Sequence, residues 1–162
     1  MTQEKVCFEQ FLAATEADRR PFIQDLHNYL LDNGCKVTIE EKKSGLFASY
    51  KFGKPQRAMA NLFFRNKGMF ARIYGENIGK YPDFLNTLPA EMVQSIDGAG
   101  ICKRLVNNTC SPKCTGYDFI IRGKHFQKCR YNCFEFLVAG ENKPYIKSFI
   151  EHELTKREVV TK

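Results

Sequence analysis

Apolar positions change their spacing three times along this chain, and each change marks an expected element. From about Asp18 to Asn33, Phe22, Ile23, Leu26, Tyr29 and Leu30 recur at helical intervals and form one buried stripe. A shorter amphipathic helix precedes it, and Asn33 and Gly34 supply a left-handed stop. His27 lies beside the stripe, where a satisfied boundary histidine is the expectation rather than a ligand.

From Cys35 the period becomes two. Val37 and Ile39 alternate with polar residues, and Lys43, Ser44 and Gly45 turn the chain into the run Leu46 to Phe52. Gly53, Lys54 and Pro55 break that strand. Ala58 to Arg65 and Met69 to Tyr74 form two more strands joined through Asn66, Lys67 and Gly68. The expected product is a four-stranded antiparallel meander over about 35–74. Helical turns follow around Asn77–Leu85, then a short helix with Pro89 in its first turn and Met92, Val93 and Ile96 as its apolar face. At the far end Asn142 caps a last helix whose stripe is Tyr145, Ile146, Phe149, Ile150 and Leu154, with a polar, frayed tail from Lys156. The pattern predicts one α+β domain over 1–162, with a cysteine-rich subregion at 102–133.

Composition adds a location. No apolar run reaches the ~18 to 20 residues of a membrane span, and the first residues lack the pattern of a secretory signal. A cytoplasmic protein with reduced thiols is the expectation. Lysine and arginine total 25 against 18 aspartate and glutamate, for a net charge of +7. Nearly all of that excess falls after residue 100, where five of the seven cysteines also lie.

Those five are Cys102, Cys110, Cys114, Cys129 and Cys133. Two short-spaced pairs separated by a hairpin-sized insert suit a tetrahedral thiolate site, and Zn²⁺ is the metal such ligands favour. Tyr117 to Arg122 and His125 to Arg130 are expected to pair across a Gly123-Lys124 turn, setting Phe119 opposite Lys128 and Tyr117 opposite Arg130. Cys129 then sits at the open end of the hairpin near Cys114 and Cys110. A strand continuing to Cys133 would carry it about 13 Å away at ~3.3 Å per residue, which favours Cys102 as the fourth ligand. A turn there would reverse the argument and bring in Cys133. The neighbouring cations would help to stabilise thiolates. Inert packing of some cysteines, as expected for Cys7 and Cys35, is the plainer alternative.

The run Cys102 to Leu105, then Cys110, Cys114, Gly116 to Phe119 and Gln127 to Tyr131 resembles a group of small uncharacterised bacterial proteins. The likeness extends back through Gly68–Tyr74 and forward into the last helix. The resemblance implies shared architecture and no particular activity. The helix–meander–helix order is similar, at the level of fold, to small YdhG/YjbR-like domains.

Two functional classes follow. The first is a non-enzymatic binding protein, its C-terminal hairpin fixed by structural zinc and its partner nucleic acid or protein. Tyr117 and Phe119 would stack on bases while Lys128 and Arg130 meet phosphates; the competing reading puts those rings in the core. The second is a thiol-based redox protein or sensor, which lacks the C-x-x-C spacing and βαβ order of thioredoxins. Lys67 to Tyr74 matches the RNA-recognition strand pattern only at its lysine, glycine and final tyrosine, so a plain hairpin strand is expected. His27, His125 and His152 are scattered, and no nucleophile motif or phosphate loop accompanies them.

Overall fold

A computed structural model describes residues 7–111 and 116–160. Helix α1 (Phe8–Ala14) leads through a 3₁₀ turn at Ala17–Arg19 into α2 (Arg20–Asp32). The apolar stripe of α2 is buried through Ile23, Leu26 and Leu30. His27 is buried beside it, as its position in the sequence suggests. Its Nδ1 shares a 2.8 Å hydrogen bond with the Tyr50 hydroxyl, and its ring lies flat on Phe8 with centroids 3.5 Å apart.

The meander forms as β1 (Lys36–Lys42), β2 (Gly45–Phe52), β3 (Arg57–Arg65) and β4 (Gly68–Ile73). Each strand pairs antiparallel with the next, and Phe47, Phe63 and Phe70 stand opposite one another across β2, β3 and β4. The Lys67–Tyr74 segment is thus an ordinary turn and strand. A register irregularity at Tyr50 and Lys51 separates the end of β2 from the rest of its ladder. The Gly53–Gln56 connection then turns the chain back into β3.

Sequence periodicity missed one member of this sheet. After the cysteine segment, β7 (Glu135–Leu137) pairs antiparallel with β4, giving a five-stranded order β1-β2-β3-β4-β7. Three residues are too few to display a period of two. The pairing is locked by Glu135, whose carboxylate accepts from Arg72 at 2.6 and 2.8 Å and from Arg65 at 2.6 Å.

Between β4 and β7 lie a 3₁₀ turn at Ile78–Lys80, α3 (Pro82–Leu85), α4 (Ala90–Asp97), α5 (Lys103–Asn107) and a separate hairpin, β5 (Tyr117–Ile121) with β6 (Lys124–Lys128). Helix α6 (Asn142–Val160) closes the described chain. It does not fray at Lys156: Arg157 is buried and bonded, and the helix runs on past it. A single cluster of buried apolar residues runs from Phe11 in α1 through the sheet and β5–β6 to Leu154 in α6. No helix among the described residues is long and apolar enough to cross a membrane.

Candidate functional site

The hairpin that should carry the site is turned one residue earlier than its sequence suggests. Ile121 pairs with Lys124, so Arg122 and Gly123 form the two-residue loop, both at positive φ (49° and 84°). Two positive φ angles define a type I′ turn, whose twist matches the flanking strands. Arg122 tolerates the conformation because it is held from outside. Its N–H donates to Asn86 Oδ1 at 2.8 Å, and its guanidinium donates to the carbonyls of Asn86 and Leu88.

The new register changes the partners and leaves the same residues on each face. Phe119 pairs with Phe126, and Tyr117 with Lys128. Tyr117 and Phe119 are each only 3% exposed, and both rings pack against Phe134. Neither ring is open to a stacking base, so the exposed aromatic platform is replaced by a core layer. Lys128 is buried too, and its ammonium donates to the carbonyls of Asp97 and Ala99 at 2.8 and 2.9 Å. It closes the end of α4 rather than meeting a phosphate. Of the four, Arg130 and the buried Tyr117 line a cleft.

The cysteines divide. Cys102 is buried at the start of α5, and its N–H donates to the Gln127 carbonyl. Cys129 is half-buried and donates its N–H to Gly100. Cys133 is fully buried, one turn on, with its N–H bonded to the Cys129 carbonyl. Burial pushes its thiol well above the ordinary value. Cys110 is exposed, and Cys114 lies outside the described residues. Among the described residues no three His, Cys, Asp or Glu side chains converge closely enough to hold a metal. Cys102, Cys110 and Cys129 are therefore not assembled into a shared ligand set. The turn at 129–133 removes the distance argument against Cys133. Cys35 packs in the core, where burial lifts its thiol to about 11.

A different site emerges beside β5. The Gly53–Pro55 connection, the segment Glu76–Gly79 and the start of β5 wall a cleft of about 720 Å³. Arg57, Arg130 and Arg157 also line it, as do Phe52 and Tyr117. Its floor is held by Glu153 of α6. That carboxylate is wholly buried and accepts four hydrogen bonds: Asn77 N–H at 3.0 Å, Asn77 Nδ2 at 2.9 Å, Tyr81 hydroxyl at 2.6 Å and Arg157 Nε at 2.8 Å. Arg157 also donates from Nη1 to the Ala58 carbonyl and from Nη2 to the Tyr74 carbonyl. Both ions thus help to fix the cleft's shape.

At the rim, Glu76 lies between two guanidiniums, 3.4 Å from Arg57 and 3.4 Å from Arg130. Arg130 also lies over the Tyr74 and Tyr131 rings at 5.7 Å from each centroid, which positions its planar fork. Asp118 lines the cleft, but its carboxylate accepts from Gln127 Nε2 and pairs with His125 at 2.6 Å. The His125 contact holds the Asp118 carboxyl below its usual range. The three histidines end in separate surroundings: His27 on Tyr50, His125 on Asp118 and His152 against Tyr81 and Phe84.

Of the cleft residues, sequence reasoning singled out only Tyr117 and Arg130, for another purpose. One further signal was present. Glu153 and Arg157 continue the helical spacing of Ile146, Phe149 and Ile150, so a charged pair at i and i+4 stands in the buried stripe. Comparison of the chain with protein-family models, curated proteins and solved structures finds no match.

Proposed function

We propose that this is a non-enzymatic binding protein that holds a small molecule in the cleft beside β5. One observation carries the reading: a concavity of about 720 Å³, within the ~300–1,000 Å³ of small-molecule sites, with its floor braced by the buried Glu153–Arg157 pair. A site braced in this way is preformed, which lowers the ordering cost of binding. Backbone amide shifts during a fragment titration test it. Shifts should concentrate at Gly53, Asn77, Gly79 and Asp118; ligands that bind only elsewhere would refute the assignment.

A zinc-stabilised cysteine segment is the second reading. It is favoured by the single turn that joins Cys129 and Cys133, and by Gly116, which packs against the Cys102 sulfur two residues after Cys114 in sequence. On this reading Cys102, Cys114, Cys129 and Cys133 would be drawn together by the metal. Elemental analysis of reduced protein should then find about one zinc per chain, lost on chelation together with stability. Metal-free protein whose melting ignores the chelator would end it. A redox sensor has less support, because it needs a thiol open to oxidant and Cys133 is wholly buried.

A further inference from the structure

Resting on the small-molecule reading of the cleft, we propose that its ligand is an organic oxyanion, a carboxylate or phosphate monoester carried on an apolar body, anchored by Arg130 and Arg57. The first ground is charge. Of the cationic side chains lining the cleft, Arg157 is paired with Glu153 and bonded to two carbonyls. Lys54, Arg57 and Arg130 remain, and Lys54 has no ion-pair partner among the described residues. Against them stand Glu76 and Asp118, and Asp118 is engaged by His125 and Gln127. Three cations thus face two carboxylates, one of them already bonded to His125 and Gln127.

The second ground is the slackness of that sharing. Charge-assisted N–H···O contacts close to about 2.7–2.9 Å, and Arg72 and Arg65 reach 2.6 Å on Glu135 in this same molecule. Both Glu76 contacts stay at 3.4 Å, and Arg130 Nε is buried without an acceptor among the described residues. A buried unpaired donor calls for a specific reason, and a bound ion or water is one of the few. A bidentate oxyanion matches the fork of a guanidinium better than Glu76 does here.

The third ground is the remaining wall. Phe52 and Pro55 expose apolar surface to the same space, which an inorganic anion would leave uncovered. A ring or alkyl body would cover it, and that burial favours binding in proportion to its area. Gly79 widens the opening. A side chain built there meets no atom within 4 Å, and its backbone is not left-handed, so a larger residue can be placed without strain.

The test is calorimetric titration of the full chain with phenyl phosphate, phenylacetate, inorganic phosphate and neutral benzyl alcohol. One or both aromatic anions should bind at a single site at least tenfold more tightly than benzyl alcohol and inorganic phosphate. Which anion wins separates a phosphate ester from a carboxylate ligand. Arg130→Gln should weaken the anions about tenfold or more and leave benzyl alcohol unchanged. Arg57→Gln, at a side chain two-thirds exposed and therefore safe for folding, should do the same in smaller measure. Gly79→Val should weaken every ligand. If benzyl alcohol binds as tightly as the anions, the oxyanion assignment falls and the binding cleft stands. If no probe binds at millimolar concentration, or Gly79→Val and both arginine variants change nothing, both fall.

Discussion

Glu153 and Arg157 form an ion pair of 2.8 Å on one turn of α6, with the carboxylate wholly buried and the arginine 6% exposed. Every partner they take besides each other belongs to the chain around the cleft: Asn77, Tyr81, Ala58 and Tyr74. The pair therefore ties the last helix to the strand end and loop that shape the site.

Breaking the pair from one side should be costly. Arg157→Leu leaves a buried carboxylate facing only neutral donors, and loss of a single partner from a buried pair typically costs about 3–5 kcal/mol. Glu153→Gln keeps shape and some hydrogen bonding, so its loss should be smaller. Denaturant unfolding of both variants checks the order. Equal and negligible losses would show that the pair does not brace the helix.

Phe119→Ala distinguishes a core ring from a stacking platform. Phe119 contacts Phe126 and Phe134 with centroids 5.3 Å away in each case. Truncating a buried phenylalanine costs about 3–5 kcal/mol, and a thermal melt of the variant should show a loss of that order. A fully stable variant would place the ring outside the core.

The legible parts of this fold were those with room to repeat. The α2 stripe, the four-strand meander and the α6 stripe each span enough residues for a period to show. The hairpin register was not legible, because two adjacent dipeptides, Arg122-Gly123 and Gly123-Lys124, both contain the glycine a tight turn needs. Local preference disfavours arginine at positive φ, and the choice was made by Asn86 and Leu88, 34 to 36 residues away. Shifting the turn moved Tyr117, Phe119 and Lys128 to new partners, but it was burial of their face, with both rings against Phe134, that removed the expected surface. The cleft was hidden for a related reason: Lys54, Glu76, Arg130 and Arg157 come from four distant segments, and no spacing along the chain joins them.

Gly116→Ala should act on the cysteine segment rather than on the ligand alone. A Cβ at Gly116 would run into the Cys102 sulfur and press Leu105 Cδ1 at 3.1 Å. Cys102 cannot retreat freely, since it is buried and its N–H is fixed to Gln127. The variant should lose stability, typically by about 1–3 kcal/mol for an overpacked site. Pairing it with Cys102→Ala, which removes the sulfur, should recover part of the loss. No recovery in the double variant would show that the two positions are not in contact.

The last expectation concerns pH and His27. Burial is the larger influence and lowers its pKa, while the Glu9 carboxylate opposes the shift. The groups in direct contact with the ring, Phe8 and the Tyr50 hydroxyl, are uncharged. Burial also pushes the Tyr50 hydroxyl's pKa upward, so it stays neutral throughout this range. In the unfolded chain His27 takes its proton near its ordinary value of about 6.5; in the folded protein it does so only at lower pH. The unfolded state therefore binds more protons in that window, and stability rises with pH there. Lowering pH from 7 toward 5 should destabilise the native protein before most carboxylates begin to titrate. His27→Gln removes the titrating ring, so its stability, although lower at pH 7, should change less across the same window. Urea midpoints of both proteins from pH 7.5 to 5 measure this, and parallel curves would show that His27 is not the group responsible.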